Sequence, residues 1–129
     1  MSDPSDPLAW ATRAEEDYAL AQSALRRKVP LTYGAVFHAQ QCAEKYLKAL
    51  LVAVGQAFPK THDLAALSDL CGQYNVIVPV DQDSLQRLAA YAVQVRYPGE
   101  DPTVEEARMA LKTARAVRRS ARNLLGTTI

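Results

Sequence analysis

Long apolar runs, cysteine and strand-like alternation are all scarce in this chain, and each scarcity removes a class of protein. No apolar stretch approaches the roughly 20 residues that span a bilayer. The opening Met1-Ser2-Asp3-Pro4-Ser5-Asp6-Pro7 is acidic, unlike the basic start of a signal peptide. A cytoplasmic protein without membrane association is therefore expected. Cys42 and Cys71 lie far apart and form no CxxC pair, so neither a zinc site nor a disulfide framework is predicted, and reduced thiols fit best. His38 and His62 come without a third spaced ligand, and no metal is predicted. The GxGxxG, P-loop, GxSxG and HExxH signatures are missing, and no cofactor is expected. Charge is equally uninformative about partners, since the net value is +1.

What remains is helical periodicity along a chain of 129 residues, enough for one domain with a hydrophobic core. The expected fold is all-α, an antiparallel up-and-down bundle of about five helices. Residues 1–6 read as a flexible tail, after which Asp6 caps and Pro7 opens a helix reaching about residue 28. Its inner stripe is Ala11, Ala14, Tyr18, Ala21 and Leu25, with Trp10 anchoring the start. A second helix spans about 32 to 54 and closes before Gly55, a residue suited to the left-handed position after a helix end. Thr61 or Asp63 caps a short third helix with the stripe Leu64, Leu67, Cys71 and Tyr74. Asn75-Val76-Ile77-Val78-Pro79-Val80 is the one strand-like run, but with no second strand to pair with it reads as an extended loop. A fourth helix follows over about 81 to 95, with Leu85, Leu88, Ala92 and Val95 inward and Arg96 at its end. After the broken loop Tyr97-Pro98-Gly99-Glu100-Asp101-Pro102, Thr103-Val104-Glu105-Glu106 forms a capping box for a last helix reaching about Leu125. Ala110, Ala114, Val117, Ala121 and Leu124 make its inner stripe.

The second helix contains an anomaly. At about 100° per residue, Val36, Ala39, Ala43, Tyr46, Leu50 and Val54 make a broad apolar arc, which Phe37, Leu47 and Leu51 extend. Gln40 and Glu44 fall inside that extension, one turn apart on a single face. A carboxylate there needs a partner, because burying it unpaired costs several kcal/mol. Lys48 is the local candidate, and Arg96 and His62 are the distant ones. Such a group is either a structural polar network or a functional site.

Three further constellations stand out. The last helix carries Arg108, Lys112, Arg115, Arg118, Arg119 and Arg122 on the side opposite its apolar stripe. That face can contact the phosphates of RNA or a nucleotide, or it can be solvated or paired with Glu15, Glu16 and Asp17 of the first helix. In Thr61-His62-Asp63-Leu64, an imidazole beside a carboxylate could act as acid or base, or the segment could simply cap a helix. Arg96 before Tyr97-Pro98 can neutralise the last carbonyls of its helix, reach Glu44, or hold a phosphate.

Taken together, the run Phe37-His38-Ala39-Gln40-Gln41-Cys42-Ala43-Glu44-Lys45-Tyr46-Leu47-Lys48-Ala49-Leu50-Leu51, then Thr61-His62-Asp63-Leu64, then Arg96-Tyr97-Pro98, resembles the HEPN domain family over nearly the whole chain. The resemblance implies a helical bundle related to the substrate-binding domain of kanamycin nucleotidyltransferase, commonly a homodimer. It also implies a minimal nucleotidyltransferase as partner, often as a toxin and antitoxin pair. Ribonucleolytic members carry an arginine followed a few residues on by a histidine, and two copies meet across the dimer to cut RNA without metal. Arg96 matches the arginine, but Tyr97-Pro98-Gly99-Glu100-Asp101-Pro102-Thr103 holds no histidine. Two expectations follow from the resemblance. One is a noncatalytic protein that binds a nucleotide or partner through Gln40, Glu44, Lys48, His62, Asp63, Arg96 and Tyr97. The other is a metal-independent ribonuclease in which His62 works with Arg96.

Overall fold

The computed structural model describes residues 3–93 and 97–126. Five helices follow one another: α1 (Pro7–Arg26), α2 (Thr32–Ala53), α3 (Leu64–Gln73), α4 (Gln82–Val93) and α5 (Val104–Leu125). They form an all-α bundle, and among the described residues there is no strand. The order matches the periodicity, with ends shifted by a residue or two.

Each boundary has a chemical cause. The Asp6 side chain accepts from the Leu8 amide, and Pro7 occupies the first turn, where its missing donor does no harm. Asp63 rather than Thr61 caps α3, its carboxylate accepting from the Ala66 amide, while the Thr61 hydroxyl accepts from the Asp63 amide. Asp81 does the same for α4 through the Ser84 amide at 2.7 Å. Thr103 and Glu106 form the reciprocal capping box expected of α5, and Gly126 closes it with φ 66°, a left-handed conformation that costs glycine little. Asn75 to Val80 runs as an irregular link without strand pairing.

Helix α2 is central and packs against α1, α3, α4 and α5. It is buried on nearly every side, which is why its sequence is apolar beyond a single stripe. Ala11, Ala14, Tyr18 and Ala21 of α1 meet Val36, Ala39, Ala43, Tyr46 and Leu50 of α2 in one core with Leu64, Leu67, Leu85, Leu88 and Val117. Small alanines on α1, α2 and α5 leave room for close helix approach, while Tyr46, Leu47 and Leu51 fill the volume between them.

The ends of the stripes differ from expectation. Val54, Tyr74 and Leu124 are exposed, and each sits in the last turn of its helix or just past it. On α5 the inward residues include Ala107 and Leu111 besides Ala110, Ala114, Val117 and Ala121. Val95 and Arg96 lie outside the described residues. Trp10 does anchor the start of α1: its indole donates to the Pro4 carbonyl at 2.9 Å and its ring meets Phe58 edge-on at 5.4 Å.

Candidate functional site

The polar residues of α2 come together as its periodicity requires. Gln40 and Glu44, one turn apart, are both buried, and the Gln40 amide donates to Glu44 Oε1 at 3.0 Å. Lys48, a further turn on, donates to Glu44 Oε2 at 3.0 Å. His62, in the link that enters α3, places Nδ1 2.7 Å from Glu44 Oε1. Burial by itself would raise the Glu44 pKa, but the hydrogen bonds from Gln40, His62 and Lys48 outweigh it and hold the carboxyl below its ordinary value. Lys48 is further supported by aromatic faces, its ammonium lying 5.1 Å from the Phe58 ring centroid and 6.0 Å from that of Trp10.

His62 is the outlet of this cluster. Its side chain is 55% exposed, whereas that of Glu44 is 6% exposed. Engaging Nδ1 with a carboxylate fixes the ring and leaves Nε2 without a partner among the described residues. His62 helps to line a groove of about 510 Å³ together with Lys60, Thr61, Asp63, Gln86 and Ala89 among others. The arrangement resembles a buried acid orienting an imidazole, which can accept a proton, donate one when charged, or hydrogen-bond a ligand.

Asp63 lines the same groove but commits one oxygen to capping α3. Arg96, and with it the expected reach to Glu44, lies outside the described residues. Tyr97 is 68% exposed in the link before α5. Among the described residues no group of three or more His, Cys, Asp or Glu side chains could hold a metal ion. No helix among them is long and apolar enough to cross a membrane.

The cations of α5 divide between two of the arrangements open from sequence. Arg118 forks onto Glu15 with bonds of 2.7 and 2.8 Å, and Arg122 reaches the same carboxylate at 3.0 Å. Tyr46 of α2 donates its hydroxyl to Glu15 as well. Burial raises the Glu15 pKa, and the bonds from Arg118 and Tyr46 with the charges of Arg118 and Arg122 bring it below its ordinary value. Arg115 donates Nε to the Tyr18 hydroxyl at 3.0 Å. Arg108 sits 3.8 Å from Glu105 at the surface, and Lys112 and Arg119 are exposed.

A third network was not anticipated. Asp17 is buried and receives Lys45 at 2.5 Å and His38 at 2.8 Å, tying α1 to α2. The signal was present in the register: Asp17 adjoins Tyr18 and follows Ala14 by three positions, so it lies at the edge of the apolar stripe.

Comparison with known proteins bears on this geometry. The family model described as HEPN domain matches residues 8–124. Among solved structures, that of TT1696 from Thermus thermophilus superposes with a TM-score of 0.69 at 26% sequence identity, covering 91% of this chain and 96% of that one. No curated protein matches.

Proposed function

The chain belongs to the HEPN domain family, and from that premise we propose that it is a noncatalytic member: a homodimeric binding protein that engages a nucleotidyltransferase partner, and with it a nucleotide, in a toxin-antitoxin type pair. One observation carries this reading. The Glu44 carboxylate is bonded from within by Gln40, Lys48 and His62, while His62, more than half exposed, lines a groove with Lys60, Thr61 and Gln86. Polar groups held rigid on one side and open on the other suit recognition, since a ligand does not have to order them first. The sequence adds that the histidine expected after Arg96 is missing.

Co-expression with a minimal nucleotidyltransferase, followed by size-exclusion chromatography, tests the proposal. A stable complex is expected, weakened by about tenfold or more in His62→Ala, which removes one hydrogen-bonding contact to a desolvated group. A monomer that forms no complex overturns it.

A second reading rests on the same imidazole. Because Glu44 fixes Nδ1, the uncommitted Nε2 can act as a general base, and His62 then serves a metal-independent ribonuclease together with Arg96. RNA cleavage by the purified protein, abolished in both His62→Ala and Arg96→Ala, selects that reading. Intact RNA with wild-type protein rejects it.

A further inference from the structure

A second concavity lies on α5, apart from the groove beside His62. Arg115, Arg118, Arg119, Arg122 and Asn123 line a depression of about 340 Å³. Four guanidinium groups there are answered by the single carboxylate of Glu15, so the surface keeps a positive excess.

Exposed arginines usually lose much side-chain freedom when they grip an anion. Here that ordering is largely complete beforehand. The Tyr18 hydroxyl receives Arg115, the Tyr18 ring lies 4.3 Å beneath the Arg118 guanidinium, and Glu15 holds Arg118 and Arg122. Each of these three arginines is fixed by part of its donor set and keeps other N–H groups available. Arg119 has no partner among the described residues. Asn123 adds a neutral amide, and the lining contains no aromatic or aliphatic side chain on which a base could stack.

From this geometry we infer that the depression is a binding site for a short chain of phosphates, carried either by a nucleotide or by free oligophosphate. Planar forks arranged around a polar hollow match phosphate oxygens in a way that a scattered basic face does not. Monophosphate meets too few of the forks to compete. A long RNA strand would track the whole cationic side of α5, from Arg108 to Arg122, instead of this hollow.

Isothermal titration of the full-length protein with inorganic triphosphate, inorganic monophosphate, ATP and a short RNA bearing a 5′-hydroxyl tests the inference. Triphosphate is expected to bind at least about tenfold more tightly than monophosphate. ATP equal to triphosphate means that the phosphates alone are held, and tighter ATP names a nucleotide as the source. Arg119→Gln lowers triphosphate affinity by about tenfold with an unchanged circular dichroism spectrum, because the residue is exposed. Arg87→Gln removes the same charge from α4 and leaves the affinity unchanged. Absence of triphosphate binding, equal losses in the two variants, or binding of RNA without triphosphate each overturns the proposal. None of these readouts depends on the nucleotidyltransferase partner.

Discussion

Glu44 and Glu15 are both held below the ordinary glutamate range inside one bundle, yet the first is deep and local while the second is shallower and joins three helices. The Glu44 side chain is 6% exposed, and its partners come from its own helix and the link that enters α3. The Glu15 side chain is 19% exposed and gathers Tyr46 of α2 with Arg118 and Arg122 of α5. Depth and reach are therefore separate properties of a buried acid. Depth makes a missing partner costly, since the stranded charge cannot rehydrate; reach makes the acid a tie between elements.

Acid should break both at once and give the largest effect. Each glutamate has a folded pKa below its ordinary value of 4.5, so the stability it contributes is fully present above that value and is lost as pH falls through the lower folded value. Thermal midpoints measured from pH 7 downward should hold nearly level until about pH 5 and then drop steeply. A flat profile to pH 2 would mean that neither carboxylate matters.

Single substitutions separate the two. Glu44→Gln should cost about 3 kcal/mol in urea unfolding, because Lys48, with 11% of its side chain exposed, is left as a buried cation. Adding Lys48→Met should recover a good part of that loss. Glu15→Gln should cost only about 1–2 kcal/mol, since Arg118 and Arg122 at the rim can turn to water. The reverse order would show that bridging outweighs burial in this fold.

Asp83→Asn sets the lower limit. It removes an exposed pair, with Arg87 at 3.4 Å, and should change stability by less than about 0.5 kcal/mol. A larger change would mean that surface charge, and not the buried acids, dominates the acid profile.

The helices and their caps were legible because they follow from local chemistry. Pro7 after Asp6, the Thr103 and Glu106 box, and the period of the apolar residues each need only a few neighbouring positions. The cluster on α2 was half legible. Lys48 as a partner of Glu44 follows from helical spacing, and it is found there. His62 was one of two distant candidates, and choosing it requires the path of the link between α2 and α3, which periodicity does not encode. The arginines of α5 pose the same difficulty. Their common face was evident, but which of them would meet Glu15 depends on the register of α5 against α1, set by alanine packing far along the chain.

The two thiols give the bundle its own clock. Cys42 and Cys71 are both fully covered, Cys71 pointing its sulfur at the Leu47 carbonyl 3.7 Å away, and burial raises both pKa values, that of Cys71 to about 11. An alkylating reagent therefore finds no thiolate on the folded surface and must wait for an opening. Cys42 lies in the middle of α2 and Cys71 on α3, so their labelling rates time two different events: loosening of the central helix and lifting of the short one from its side. Whether α3 can move while α2 stays closed is thus written in the ratio of two rates that the native sequence supplies without a probe.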